Sequence, residues 1–280
     1  MKNNWIYILL CLLGFVFLGL MILTAVNWFL VSSTSLDTNF VQKGSQLLQG
    51  ICVFLLPAVL TAKFVSDTPL KYLRLQKSNA KCVILTIVFA LFAIPAIDLF
   101  TQLNAKMHLP QFMHVIDEWM RQMEEQLEEV TEQMLSVSTV GGLLVNIFIV
   151  GMVAAICEEI LFRGLILRML ESKFGMHLAV WLSAIIFSAI HVQFFGFLPR
   201  MLLGAGFGYM AVWSGSLWLP VIAHFINNTT GIIGFYLIHN KLIITDLDYN
   251  NMPINPIFSV ACIVISIASL ILMKKVNNVS

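Results

Sequence analysis

The sequence predicts an all-α, polytopic membrane protein, a bundle of about eight transmembrane helices with one amphipathic helix outside the membrane. Its 280 residues are 59% hydrophobic and only 11% charged, and the mean hydropathy is +0.89. An average soluble domain carries about 25% charged residues. Apolar runs of about 20 residues, enough to cross the hydrocarbon core as a helix, recur along the chain. The net charge of +1 gives no indication of nucleic-acid binding.

Eight apolar segments are candidates for the transmembrane helices, and polar or turn-forming residues separate them. The first lies in a stretch, residues 3–36, that has no charge. Because the core of a signal peptide is only ~7–15 residues long, we expect a retained transmembrane helix there. The segments are 5–31, 47–65, 82–102, 140–163 or beyond, 177–194, 197–213, 217–238 and 257–273. The breaks include a basic stretch at 67–81, a Ser-Gly-Ser turn at 214–216 and two prolines in 252–256.

Lysine and arginine residues are divided unequally between the two sides of this bundle. Since cytoplasmic loops are enriched in these residues, the division predicts that both termini are cytoplasmic, in the cell membrane of a bacterium. One side has Lys2, Lys63, Lys71, Arg74, Lys77, Lys81, Arg163, Arg168, Lys173, Lys274 and Lys275, and the other has Lys43, Lys106, Arg121 and Lys241.

Residues 111–135 form the predicted extramembrane helix, on the outer side. Apolar residues recur there at three- and four-residue spacing, with acidic residues between them, a pattern typical of an amphipathic helix. Its acidity argues against docking on anionic lipid. The sequence leaves open whether this helix only packs on the bundle, acts as a substrate gate or binds a partner. The apolar set is Ile116, Trp119, Met120, Met123, Leu127, Val130 and Met134.

Adjacent glutamates, Glu158 and Glu159, follow an uncharged run of the fourth segment, where ionised side chains are unfavourable and mark function. Arg163 is within reach of either, and pairing with Glu159 would leave Glu158 free to accept a proton. Counting helical rise from the turn after this segment places Glu158 within ~4 Å of the depth of His191 on the fifth. His224 and Asn228, four residues apart, share one face of the seventh.

These residue types are suited to activating water for peptide-bond hydrolysis. A buried carboxylate is a base, one imidazole can hold the water, and a second imidazole with an amide can stabilise an oxyanion. A divalent metal such as zinc is the alternative, because Glu158, His191 and His224 make a two-His, one-carboxylate set. The sequence does not decide between them. Asp98 and Arg200, each beside a proline, are predicted to be interfacial or structurally paired.

Three motifs in this order resemble the CPBP family of intramembrane proteases, also called the CAAX-protease, bacteriocin-processing or Abi family. They are Glu158-Glu159-x-x-x-Arg163, Phe187-x-x-x-His191 and His224-x-x-x-Asn228. The family includes the type II CAAX prenyl endopeptidases. The resemblance implies that Glu158 and His191 activate water, that His224 and Asn228 stabilise the oxyanion, and that Glu159, Arg163 and Phe187 support the site. The CPBP family is called a metalloprotease family, yet a metal-free glutamate mechanism has also been proposed for its eukaryotic prenyl proteases.

Together these observations predict an intramembrane endopeptidase that acts on a membrane-embedded or lipid-associated protein or peptide. Residues 139–240 are the predicted catalytic core, between the N-terminal helices of 1–138 and the last helix in 241–280. Two alternatives remain on the same scaffold. One is a proton-coupled transporter, in which Glu158 and the histidines would relay protons. The other is a non-catalytic immunity or binding protein.

Overall fold

The computed structural model describes residues 4–32, 37–243 and 255–278, which form nine helices. Lys2 and the predicted break at 252–254 lie outside these residues. A one-turn helix, Pro69–Tyr72, and a 3-10 turn, Gln111–Met113, lie between the longer helices. The helices are α1 (Trp5–Ser32), α2 (Thr38–Val65), α3 (Ala80–Ala105), α4 (His114–Leu135), α5 (Val140–Phe174), α6 (Met176–Ala189), α7 (Phe197–Ser214), α8 (Trp218–His239) and α9 (Pro256–Asn278).

The predicted helical membrane bundle is confirmed, with a helix for each of the eight apolar segments and α4 as the amphipathic helix. In the described part of the chain, six helices are long and apolar enough to cross a membrane: α1, α2, α3, α5, α8 and α9. The 14 residues of α6 extend about 21 Å, which is shorter than the ~30 Å hydrocarbon core. α6 and α7 correspond to the remaining two predicted segments, 177–194 and 197–213.

Polar side chains cap the N-termini of three helices, and glycines lie at two connections between helices. Asp37, Asn79 and Thr139 cap α2, α3 and α5, each accepting a hydrogen bond from a backbone N–H in the first turn of its helix. Gly175 (φ 77°) separates α5 from α6, and Gly215 (φ 68°) follows α7. Both adopt the positive φ that glycine tolerates best, and both allow tight connections between neighbouring helices.

Basic side chains converge at one end of the bundle. Arg74 pairs with Glu171 at 2.5 Å, Arg168 donates to the carbonyl of Tyr72 at 2.8 Å, and Lys173 lies 3.7 Å from the centroid of the Trp5 ring. These contacts join the ends of α1 and α5 to the segment between α2 and α3. The end is the one for which the charge distribution predicts a cytoplasmic location.

Two residues counted as loop cations are instead buried within helices. Arg163 is fully buried and Lys43 is 8% exposed. Without them, ten basic residues on one side still exceed three on the other, so the predicted orientation is unchanged.

α5 is the central helix, in contact with α1, α2, α6, α7 and α8. All seven residues of its segment Ile160–Ile166 are buried. Two stretches of α5, Ile147–Val153 and Ile160–Ile166, are wound as π-helix, and so is Gly50–Leu55 of α2. Such wide turns are rare and are frequent at functional sites. The short α-helical segment between the two π stretches of α5 carries both glutamates.

Candidate active site

Glu158 and Glu159 point in different directions because successive residues of a helix are rotated by about 100°. Both are buried, with Glu158 8% and Glu159 0% exposed. Glu158 lines a cavity, whereas Glu159 faces the interior of the bundle. The two adjacent carboxylates therefore have different surroundings and different capacities for chemistry.

Glu159 is held between a guanidinium and an imidazole. Its Oε1 accepts a hydrogen bond from Nη1 of Arg163 at 2.8 Å and lies 2.8 Å from Nδ1 of His224. The contact predicted between Arg163 and Glu159 is therefore present. A buried carboxylate that is paired in this way is held in one orientation, which makes it a positioning group for the second imidazole.

Arg163 occupies an enclosed pocket of aromatic rings and backbone. Its Nη2 donates to the carbonyl of Gly204 at 3.1 Å, and its Cζ lies 4.3 Å from the ring centroid of Phe187 and 5.4 Å from that of Phe207. A Cβ atom at position 204 would lie 3.0 Å from Nη2 of Arg163, so glycine provides the space for the guanidinium. Gly204 thus accommodates a charged side chain.

His224 is on α8, and its ring lies between the two glutamates of α5. Nδ1 contacts the carboxylate of Glu159, and this contact directs Nε2 towards Glu158. Nε2 lies 3.9 Å from Oε2 of Glu158, beyond hydrogen-bonding distance. Oε2 of Glu158 is buried and has no hydrogen-bond partner among the described residues. This carboxylate oxygen is available to a further donor.

His191 lies in the turn after α6, not within a helix that runs to residue 194 as predicted. α6 ends at Ala189, and Val192 adopts a positive φ of 55°, which is incompatible with a continuing α-helix. Nδ1 of His191 lies 2.8 Å from the carbonyl of Phe187, an arrangement in which Nδ1 carries the proton and Nε2 is free. His191 and Glu158 line the same cavity, of about 690 Å³.

Phe187 supports both histidines. Its ring centroid lies 5.1 Å from that of His191 and 5.9 Å from that of His224, each in an edge-to-face arrangement. The same ring contacts the guanidinium of Arg163. One buried aromatic side chain thereby fixes the relative positions of three polar groups.

Asn228 lies one turn beyond His224 on α8 and makes a different contact. Its Nδ2 donates to the carbonyl of Val150 at 3.1 Å, within the first π-helical stretch of α5. A side chain that bonds to the helix backbone accompanies many such distortions. The structure thus joins Asn228 to α5, while Glu158 and His191 face the cavity.

The fit of a metal ion depends on three convergent ligands. Within the described residues, no group of three or more His, Cys, Asp or Glu side chains is arranged to hold a metal ion. As arranged, Glu158, His191 and His224 do not form the two-His, one-carboxylate metal site that the sequence left open as an alternative.

Two polar residues, Gln193 and Arg200, lie close to His191 and were not predicted from the sequence to belong to the site. Arg200 extends over the turn after α6, where its Nη2 donates to Oε1 of Gln193 at 2.6 Å, and Gln193 lines the cavity. Arg200 is thus structurally paired, one of the two alternatives that the sequence left open for it, and its partner could be found only from the fold of the turn.

The comparisons with known proteins concern the same part of the chain. Residues 140–230 match the family described as Type II CAAX prenyl endopeptidase Rce1-like. The chain is similar to two proteins of Bacillus subtilis (strain 168). It is 29% identical to the uncharacterized protein YpbD over 85 residues, which are 29% of this chain and 41% of YpbD. It is 30% identical to the "Putative membrane peptidase YdiL" over 87 residues, 31% of this chain and 36% of that protein.

The matched stretches span less than half of either relative. No solved structure matches the chain. All three motifs lie within the stretch that the family match covers. The resemblance predicted from the motifs is thus confirmed: residues 140–230 of this integral membrane protein match the Rce1-like family of type II CAAX prenyl endopeptidases, which supports a membrane peptidase at the level of the family.

Proposed function

We propose that this protein is an intramembrane endopeptidase in which Glu158 and His191 activate a water molecule. The observations that carry this proposal are the cavity that both residues line and a buried carboxylate oxygen of Glu158 that has no hydrogen-bond partner among the described residues. The family match and the name of one relative support peptidase chemistry.

In the proposed reaction, Glu158 takes a proton from water while Nε2 of His191 holds that water. The water oxygen forms a bond to the carbonyl carbon of the substrate, and the carbonyl oxygen becomes an oxyanion. Breaking of the C–N bond then transfers the proton from Glu158 to the leaving amine. No covalent intermediate with the protein is needed.

His224 and Asn228 are the proposed donors to the oxyanion. The Nδ2 group of Asn228 has two N–H donors, and its contact with Val150 uses one of them. Nδ1 of His224 contacts Glu159, so Nε2, on the side of Glu158, is the ring nitrogen that we propose as the donor to the oxyanion.

The proposed substrate is a membrane-embedded or lipid-associated protein or peptide, because the site lies between helices that are long and apolar enough to cross a membrane. We place the protein in the cell membrane with both termini in the cytoplasm, on the basis of its basic residues. α4 is then on the outer side.

The proposal is tested by comparing peptide N-termini in membrane fractions from cells that carry wild-type protein or the Glu158→Ala variant. We expect a set of new N-termini in the wild type that is lost in the variant, while both proteins accumulate equally in the membrane. Identical sets of N-termini would overturn the proposal. A non-catalytic immunity or binding protein would keep its phenotype in the variant.

Chelation tests the metal alternative. We expect the purified protein to retain its rate of hydrolysis after treatment with 1,10-phenanthroline and EDTA, because the proposed water contacts only side chains of the protein. The measurement is the cleavage rate of a peptide that spans one of the identified sites, before and after chelation. Loss of activity that added zinc restores would contradict water activation without a metal.

A further inference from the structure

The cavity that contains Glu158 and His191 extends away from them, between α2 and α4. Its volume of about 690 Å³ lies in the range of about 300–1,000 Å³ found for ligand pockets. We call this space the α2–α4 chamber. Both helices precede the stretch 140–230 that matches the family, so these walls belong to the part of the chain for which the match gives no information.

The α2 wall is a row of polar side chains. Gln42, Ser45, Gln46 and Gln49 recur at the three- and four-residue spacing that places them on one face of α2, and all four line the chamber. Each glutamine amide offers two N–H donors and an acceptor. One N–H of Gln42 donates to Oε1 of Gln133 at 3.2 Å, and the hydroxyl of Ser45 donates to Oδ1 of Asn27. Oε1 of Gln42 is buried and has no hydrogen-bond partner among the described residues. The wall can therefore bind a partner that has both N–H and C=O groups.

The α4 wall is mainly apolar. Met123, Leu127, Val130 and Met134 line the chamber, at the spacing of a single helical face. The acidic residues of α4 that are most exposed, among them Glu125 and Glu129, lie on the opposite face. The chamber thus has one wall for polar backbone groups and another for apolar side chains.

Few contacts attach α4 to the rest of the bundle. Of its 22 residues only Met134 is buried. Asn39 of α2 donates to the carbonyls of Gln133 at 2.8 Å and Met134 at 3.2 Å. Farther along, Glu124 accepts a hydrogen bond at 3.2 Å from the N–H of Phe195, in the turn that carries His191. α4 is a wall that contacts both α2 and the turn of the catalytic histidine.

An extended polypeptide has the chemistry that these two walls complement. A peptide bond within a helix is shielded, and unwinding the helix in a membrane leaves N–H and C=O groups without partners, which is strongly unfavourable for each group. Amide side chains can supply those partners. From Gln42 to Gln49, α2 rises by about 10 Å, which matches about three residues of extended chain.

We propose that the α2–α4 chamber binds the substrate as an extended segment of about three residues, whose backbone bonds to the glutamines of α2 and whose apolar side chains pack on α4. This inference rests on the proposed peptidase function and adds the specificity-determining surface. Leu127, in the middle of the apolar wall, sets the size of the side chains that are accepted next to the scissile bond.

The test compares the N-termini that depend on Glu158 in cells carrying Leu127→Trp or Gln126→Trp. Gln126 is exposed and adjacent to Leu127 but does not line the chamber, so it is a matched control. We expect Leu127→Trp to reduce cleavage about tenfold at sites with large side chains within three residues of the cut, and to spare sites with small ones. Gln126→Trp should leave both groups of sites unchanged.

A second pair of variants separates the two walls. Leu127→Ala enlarges the chamber and should add sites with larger side chains, which keeps the test available if the tryptophan variant does not fold. Gln46→Leu removes a backbone partner and should lower cleavage about tenfold at every site, whatever its side chains. If Glu158-dependent N-termini exist but none of the chamber variants changes them, the chamber proposal is overturned and the peptidase proposal stands. If no N-terminus depends on Glu158, both proposals are overturned.

Discussion

Replacement of Glu158 by glutamine is expected to slow peptide-bond hydrolysis by about 10²–10⁴-fold, the usual contribution of a general base. Glutamine has nearly the same shape as glutamate but cannot take the proton from water. Because Oε2 of Glu158 has no hydrogen bond to another described residue, the substitution breaks no such contact at this atom. The measurement is the kcat of purified protein in lipid nanodiscs, with a peptide from one of the identified cleavage sites.

The control for this prediction is Glu129→Gln on the exposed face of α4, which should keep the wild-type kcat. Both variants should unfold within a few degrees of the wild type. A Glu158→Gln protein that is folded and retains more than about a tenth of the wild-type kcat would remove Glu158 from the role of base.

Replacement of Arg163 by methionine is expected to destabilise the protein by about 3–5 kcal/mol, because it leaves the carboxylate of Glu159 buried without its guanidinium partner, in contact with His224 alone. Arg163 and Glu159 are both completely buried, so no water can compensate. The cation–π contacts with Phe187 and the hydrogen bond to Gly204 are lost as well. Thermal unfolding in detergent measures the effect, as a large fall in midpoint temperature or as loss of folded protein.

A double variant distinguishes the loss of the charge pair from the loss of side-chain packing. Arg163→Met combined with Glu159→Gln removes both charges, and we expect it to be more stable than Arg163→Met alone. Arg121→Met, which breaks the more exposed pair of Arg121 with Asp117, should change the midpoint little. A double variant no more stable than Arg163→Met would contradict the account of an unpaired buried glutamate.

The helices of this protein could be predicted from sequence because their signals are local. Spans of apolar residues and the three- and four-residue spacing in α4 depend on neighbours along the chain, so the bundle and its amphipathic helix were predictable. α2 is the informative exception. The apolar run of this span begins at residue 47, but the helix begins at Thr38. Its first turns carry the glutamines that line the chamber, and these polar residues conceal the start of the helix from a hydropathy pattern.

The composition of the candidate site was predictable and its arrangement was not. Spacing alone indicated that Arg163 reaches Glu159, since a pair four residues apart shares a helix face. The position of His191 beyond the end of α6 depends on the backbone conformation of Val192, and the contact of Arg200 with Gln193 depends on that same turn. The π-helical stretches around the glutamates depend on packing between helices, as in the contact of Asn228 with Val150.

The central claim is that Glu158 and His191 act on the same water molecule, and a double-mutant cycle tests it most directly. The kcat values of Glu158→Gln, His191→Gln and the double variant would be measured on one peptide, with correct folding checked by thermal unfolding. If the two residues act as a unit, the double variant is about as slow as the slower single variant. If instead the two losses multiply, the residues act independently and the account is contradicted.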